Sequence, residues 1–155
     1  MIRLCFVCHG NICRSPMAEF IMKDIVAKAE LSSLFHIESR ATHTDEILNG
    51  RGSPIYPPAQ AQLRKHGIKF DNKHAQQLKK SDYNNYDLFL GMDGENLTYM
   101  RKILGADPDR KIRRLMDYTA RGGDVFDPWY TRDFDRAFLD ISDGCRALLD
   151  AVGQK

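Results

Sequence analysis

A thiol and a guanidinium stand six positions apart in Val7-Cys8-His9-Gly10-Asn11-Ile12-Cys13-Arg14-Ser15-Pro16. A thiolate is a nucleophile, and an arginine side chain is a planar fork of donors that grips two oxygens of a tetrahedral anion at once. Held at the two ends of one short loop, Cys8 and Arg14 can bind a phosphate-sized dianion and attack it. Gly10 and Asn11 tolerate the backbone angles through which successive amides converge on an anion. A second reactive group lies far along the chain, in Gly122-Gly123-Asp124-Val125-Phe126-Asp127-Pro128-Trp129-Tyr130. Displacing a phenolate, whose conjugate acid has a pKa of about 10, is far easier when an acid protonates the departing oxygen, and Asp127 can supply that proton. Trp129 and Tyr130 offer flat surfaces to a phenyl ring, and the paired glycines leave the loop free to approach one. Aspartate before proline is also ordinary turn chemistry, so the local sequence alone leaves both roles open for Asp127.

These groups need elements to hold them. Residues 2–8 form an apolar run read as a short buried strand, with Ser15 as the cap of the next helix and Pro16 in its first turn, where a missing N–H costs nothing. The loop then sits on a helix N-terminus, whose dipole joins the amides and Arg14 in attracting an anion and in favouring a thiolate at Cys8. Such settings in general lower cysteine pKa values from about 8.5 to roughly 3.5–7.5. Ala18, Ile21, Met22, Ile25 and Ala29 make residues 16–30 an amphipathic helix, and residues 35–41 read as a second strand. Strand, helix, strand in that order implies a right-handed parallel crossover, with the loop at the carboxyl end of the first strand, where open α/β sheets place ligands. Further along, the pattern predicts a helix over 58–66 closed by Gly67, strands over 86–92 and 111–116, and a helix over 94–104 with Asp93 near its start. Phe134, Phe138, Ile141, Cys145, Leu148, Leu149 and Val152 mark a final helix capped by Asp133. Residues 42–57, with Gly50, Gly52, Pro54 and Pro57, read as a loop able to wall a pocket.

With 155 residues the chain is expected to be one domain over 1–155. Lysine and arginine total 23 against 21 acidic residues, and a formal charge of +2 offers no global field for nucleic acid or a membrane. Four cysteines without paired spacing, no leader-like start and no long apolar run point to a cytoplasmic setting with reduced thiols. Cys5-Phe6-Val7-Cys8-His9 formally matches a haem attachment or Cys-x-x-Cys redox motif, but haem attachment needs an exported chain, and strand residues three apart face opposite ways. A zinc site of Cys5, Cys8, His9 and Cys13 would crowd four ligands into nine residues with no second pair elsewhere. No metal or cofactor is expected, and Cys5 reads as a core thiol. Cys8 and Cys13 share one curled loop in which their α-carbons can come within the roughly 4.4 to 6.8 Å of a disulfide, which makes Cys13 a redox candidate.

Cys-x5-Arg-Ser is the signature of cysteine-based phosphatases. With a strand before it, a helix after it, an Asn-Ile-Cys interior and its N-terminal position, this loop resembles that of the low-molecular-weight protein tyrosine phosphatases. The resemblance continues through Ile37-Glu38-Ser39, Ala59-Gln60-Ala61-Gln62-Leu63-Arg64-Lys65-His66-Gly67-Ile68, Tyr86-Asp87-Leu88-Phe89-Leu90-Gly91-Met92-Asp93 and the Asp-Pro-aromatic segment, covering nearly the whole chain. It implies a three-layer α/β fold: a four-stranded parallel sheet of order 2-1-3-4 flanked by helices. The implied activity is hydrolysis of phosphotyrosine, in proteins or as small aryl phosphates, through a phosphocysteine on Cys8. No metal takes part, and phosphate is product and inhibitor. By the same resemblance Arg14 clamps the phosphate, and Asp127 is general acid and then base. The phosphate loop is His9, Gly10, Asn11, Ile12, Cys13, Arg14 and Ser15; Asn11, Ser15, Ser39 and His66 form the network that shapes it; Trp129 and Tyr130 line the substrate pocket. The chain departs from the family pattern between Thr42 and Tyr56, where Thr44-Asp45-Glu46-Ile47-Leu48-Asn49-Gly50-Arg51 stands in place of an aromatic followed by Gly-Asn-Pro, and His9 occupies a variable, pocket-facing position. Three alternatives are weaker. An arsenate reductase needs two further relay cysteines, which Cys13 and Cys145 do not supply. A protein-arginine phosphatase carries threonine where Ile12 stands, and a non-catalytic phosphate-binding module needs neither thiolate nor acid.

Overall fold

The computed structural model describes residues 1–153. In chain order the main elements are β1 (Ile2–Cys8), α1 (Arg14–Lys28), β2 (Phe35–Ala41), β3 (Ile47–Leu48), β4 (Arg51–Gly52), α2 (Pro57–Lys65), β5 (Leu88–Gly91), α3 (Gly94–Leu104), β6 (Ile112–Arg114), α4 (Pro128–Thr131) and α5 (Phe134–Val152). β1 is buried from Leu4 to Cys8, which is why its apolar residues run in succession rather than alternating. Leu4, Phe6 and Cys8 face one core with Met17, Ile21 and Phe138, while Cys5 and Val7 face another with Phe89 and Met100. Cys5 and Cys8 thus point to opposite sides of the sheet, and all four cysteines are free thiols.

β1 pairs in parallel with β2 and with β5, and β6 extends the sheet beyond β5. The order is β2-β1-β5-β6. Because β3 and β4 belong to a separate hairpin, the four sheet strands stand in the expected order 2-1-3-4. α1 and α5 pack on each other over one face and α3 packs over the other, giving three layers.

Several boundaries differ from the sequence reading for definable reasons. α1 begins at Arg14, two residues earlier than expected, since the loop itself turns into the helix. The third sheet strand begins at Leu88, and Tyr86 before it is spent on a hydrogen bond from its hydroxyl to Glu38 at 2.6 Å. β6 ends at Arg114 because residues 115–118 coil into a short 3-10 turn that buries Leu115 beneath α5. Gly144 permits that approach: a Cβ there would fall 2.7 Å from Leu115 Cγ. The stretch 42–57 is not wholly loop, for β3 and β4 pair across Asn49-Gly50, both at positive φ (52° and 76°). Asn-Gly with those angles is the usual two-residue hairpin turn.

Candidate active site

β1 delivers Cys8 to the carboxyl edge of the sheet, and the next five residues curl back to start α1. Among the described residues the backbone N–H groups of Gly10, Asn11, Ile12, Cys13 and Arg14 find no protein acceptor. Unpaired amides gathered at the N-terminus of a fifteen-residue helix form a nest for an anion. Asn11 makes the curl possible with a left-handed φ of 57°. Gly10, the other residue expected to need unusual angles, is not at positive φ; its hydrogen instead leaves room for Glu46, whose Cγ would lie 3.2 Å from a Cβ at that position.

Ser15 is not the helix cap. Cys13 occupies that position without a side-chain bond, and the Ser15 hydroxyl turns inward, 3.0 Å from Cys8 Sγ, with the Ser15 N–H 3.4 Å from the same sulfur. The direction of the proton follows from the network behind it. Asn11 Oδ1 accepts from the Gln76 backbone N–H at 3.0 Å, and a backbone N–H can only donate, so the amide orientation is fixed. Asn11 Nδ2 therefore donates to Ser15 Oγ at 2.7 Å and to Ser39 Oγ at 2.9 Å. Ser39 Oγ donates in turn to Glu19 Oε1 at 2.6 Å. With Asn11 already donating to it, Ser15 is free to donate its own hydroxyl proton in a hydrogen bond to Cys8 Sγ. Glu19 anchors the far end; it is 3% exposed and met by Lys23 Nζ at 2.7 Å and Lys73 Nζ at 3.6 Å.

His66 is not part of this network. It sits exposed at the C-terminal end of α2, with its ring stacked on Phe138 at 3.9 Å. The groups that the sequence reading missed are Glu19, Lys73 and the Gln76 amide. A signal existed for Glu19, which lies four residues after Ser15 and so on the same helix face.

Arg14 is nearly buried, its side chain 3% exposed. Nη1 donates to Asp93 Oδ2 at 2.7 Å and to the Val125 carbonyl at 2.8 Å, and Nη2 faces Asp127 Oδ2 at 3.5 Å. Burial works against its charge, but Cys8, Asp93 and Asp127 outweigh that penalty and hold its pKa above the ordinary value. Asp93 is itself oriented as the N-cap of α3, accepting from the Asn96 N–H at 2.7 Å. The guanidinium thus ties together the phosphate loop, the β5–α3 turn and the segment that carries Asp127. That segment is also pinned to the end of β5 by Val125 N–H to the Met92 carbonyl at 2.8 Å.

The two carboxylate oxygens of Asp127 face different partners. Oδ1 caps α4, accepting from the Trp129 N–H at 3.0 Å, while Oδ2 turns toward Arg14. Gly122 and Gly123, at φ 61° and 86°, turn the chain into this segment. The resulting cleft has a volume of about 430 Å³, with Cys8, Ile12, Cys13 and Arg14 within and Tyr56, Trp129 and Tyr130 as an aromatic side. The Tyr56 and Trp129 rings lie 5.1 Å apart, and Tyr130 is 82% exposed at the mouth. A cleft that joins Cys8 and Arg14 to an aromatic side suits a phenyl phosphate.

The divergent stretch 42–56 supplies Tyr56 and further lining. Its backbone is bonded to the phosphate loop, Thr42 N–H to the Cys8 carbonyl at 2.9 Å, His43 to His9 at 3.0 Å and Tyr56 to Ile12 at 2.8 Å. It places Asp45 and Glu46 in the lining, with His9 Nε2 bonded to Asp45 Oδ2 at 2.6 Å and stacked on His43 at 3.9 Å. Cys13 is half-buried in the lining; desolvation pushes its thiol up, with Cys8 and Asp127 adding to the shift, so it stays protonated. Among the described residues no cluster of three metal-ligating side chains occurs, and no helix is long and apolar enough to cross a membrane.

The model of a family described as low molecular weight phosphotyrosine protein phosphatase matches residues 3–155. Low molecular weight protein-tyrosine-phosphatase YfkJ of Bacillus subtilis is 38% identical over 154 residues, covering 98% of this chain and 96% of that protein. The crystal structure of YfkJ superposes with a TM-score of 0.93 over 99% of this chain and 96% of its own, at 36% identity in that alignment. SP-PTP, a low molecular weight protein tyrosine phosphatase from Streptococcus pyogenes, gives a TM-score of 0.86 at 38% identity, over 98% of this chain and 93% of its own. With the phosphate loop, the buried arginine and the Asp-Pro segment all assembled at one cleft, the chain belongs to the low molecular weight phosphotyrosine protein phosphatase family.

Proposed function

We propose that this single-domain chain hydrolyses phosphotyrosine, in proteins or as small aryl phosphates, in two steps through Cys8. The phosphoryl group enters the amide nest with Arg14 gripping two of its oxygens. The Cys8 thiolate attacks phosphorus in line with the ester oxygen, so that a P–S bond forms as the P–O bond breaks, and Asp127 gives its proton to the departing phenolate. Asp127, now a carboxylate, takes a proton from water as that water attacks the phosphocysteine. Phosphate leaves, the Cys8 thiolate returns, and its charge is received again by the Ser15 hydroxyl. No metal or cofactor enters the scheme, and free phosphate competes for the nest. A cytoplasmic setting, where thiols stay reduced, suits a mechanism that depends on one.

The observation that carries this reading is the meeting of Arg14 and Asp127, 113 positions apart in sequence and 3.5 Å apart in space, in the cleft that Cys8 lines. The test is steady-state hydrolysis in the presence of a chelator. p-Nitrophenyl phosphate and phosphotyrosine peptides should turn over, with inorganic phosphate a competitive inhibitor. Phosphoserine and phosphoarginine peptides should be on the order of 100-fold slower or worse, because a serine alkoxide leaves poorly and neither side chain fills the aromatic slot. Faster turnover of phosphoarginine, or phosphate binding without any turnover, would overturn the assignment.

A redox prediction arises from Cys13. Peroxide converts the Cys8 thiolate to a sulfenic acid; the neighbouring Cys13 sulfur attacks it as the Cys13 proton passes to the departing hydroxyl, so that the S–O bond breaks, water leaves and a disulfide forms. Inactivation should then be reversible by dithiothreitol, whereas Cys13→Ser should progress to the irreversible sulfinic acid. Sulfinic acid at Cys8 in the unaltered protein after mild peroxide, with no Cys8–Cys13 bond in the mass spectrum, would remove the protective role.

A further inference from the structure

The chain carries a formal +2, yet among the aspartate, glutamate, lysine and arginine side chains that line the cleft all but Arg14 are acidic. Asp93 and Asp127 are engaged by Arg14, and Asp45 is bonded to His9. Glu46 and Glu95 line the same cleft, and among the described residues neither has an ion-pair partner or a side-chain hydrogen bond. They flank the phosphate nest from two directions. Glu46 lies over Gly10, carried by the segment that ends in the β3–β4 hairpin and braced by the Ser53 N–H on its carbonyl at 2.8 Å. Glu95 stands in the first turn of α3, two residues after the aspartate that holds Arg14.

We infer that Glu46 and Glu95 are specificity-determining residues which select phosphotyrosine flanked by lysine or arginine. The inference rests on the phosphotyrosine reading of the cleft and adds the class of peptide that it takes. Charge of one sign lining a low-dielectric cleft focuses its field, raising the local concentration of oppositely charged groups and repelling like ones. A phosphoryl dianion is compensated only once seated in the nest against Arg14; before that, the two carboxylates repel it. Cationic side chains one or two residues from the phosphotyrosine reverse that balance, since an extended peptide places them only about 3 to 7 Å along the chain from it. The aromatic side formed by Trp129 and Tyr130 then packs the ring and the aliphatic stems of those basic residues.

The experiment uses the full chain and three phosphotyrosine peptides alike except for lysine, serine or glutamate on both sides of the phosphotyrosine. At low ionic strength kcat/KM should fall in that order, with about 10- to 100-fold between the ends, mainly in KM. At about 0.5 M salt, where screening is effective beyond roughly 4 Å, the spread should shrink to a few-fold. The double variant Glu46→Gln/Glu95→Gln, checked as folded by its melting curve, should show the same collapse at low salt, with the glutamate peptide improving and the lysine peptide worsening. Equal kcat/KM for the three peptides in the unaltered protein, or an unchanged ranking in the folded double variant, would overturn the inference while leaving the phosphatase assignment standing. Failure of the unaltered protein to hydrolyse any of the three would overturn both.

Discussion

Cys8→Ser is expected to abolish phosphoester turnover, by on the order of 10⁴-fold or more, and to leave a folded protein that still binds inorganic phosphate. The first half follows from the chemistry of the nucleophile. A serine hydroxyl is far harder to ionise than a thiol, and the donors aimed at position 8, the Ser15 hydroxyl at 3.0 Å and its N–H at 3.4 Å, are arranged to receive an anion rather than to take a proton away. Among the described residues only Ser15 hydrogen-bonds the sulfur, so none is placed there as a base. The second half follows from what remains: the free amides from Gly10 to Arg14, the N-terminus of α1 and the buried guanidinium are untouched. Loss of the sulfur anion also removes a charge that would repel the bound dianion, so phosphate affinity should hold or rise. Isothermal titration with phosphate measures it directly, and the rise of melting temperature with phosphate concentration gives the same constant by linkage. Turnover above a few per cent would point to a different nucleophile, and loss of phosphate binding would show that the nest and Arg14 do not form the cradle.

The parts of this site legible in the sequence are those set by local rules. β1 and β2 span the residues expected from their apolar patterns, and α3 and α5 begin at their aspartate caps, because burial period and capping are properties of neighbouring residues. Cys8, Arg14 and Asp127, which the structure brings to one cleft, could be singled out because each belongs to a short pattern with its own chemistry. What supports them was not. Asn11 reaches Ser39 across 28 positions and the Gln76 amide across 65, contacts that exist only once β2 and the segment beyond it close over the loop. Glu19 is buried on α1 beside Ser15 and apolar residues such as Met22 and Val26, so its charge is explicable only after Ser39, Lys23 and Lys73 are brought to it. His66 shows the converse: a histidine next to a helix-ending glycine finds a satisfactory place against Phe138, and nothing local distinguishes that from membership of the loop network. The β3–β4 hairpin had a local signal in Asn49-Gly50, obscured by strands only two residues long.

Asp127→Asn should slow hydrolysis of phenyl or tyrosyl phosphate by about 10²- to 10⁴-fold, the usual worth of general acid catalysis, while slowing the phosphorylation step with p-nitrophenyl phosphate much less. The geometry makes this substitution unusually clean. Asparagine keeps an Oδ1 to accept from the Trp129 N–H, so the cap of α4 and the placement of the aromatic side persist, while the proton that Oδ2 can carry and the charge it sets against Arg14 are lost. Asp127→Ala removes cap and acid together; it should match asparagine in rate and fall below it in stability by about 1 kcal/mol. Because nitrophenolate departs readily without a proton, the acid matters less to it in the first step. The second step has no such relief, since water still needs a base whatever has left. The asparagine variant should therefore accumulate phosphocysteine at Cys8, visible as a burst of nitrophenolate, and adding an alcohol as acceptor should show how the intermediate partitions. A uniform loss across leaving groups with no burst would mean that Asp127 serves only as the cap of α4, holding Trp129 and Tyr130 at the mouth of the cleft, and that the proton for the departing phenolate comes from elsewhere.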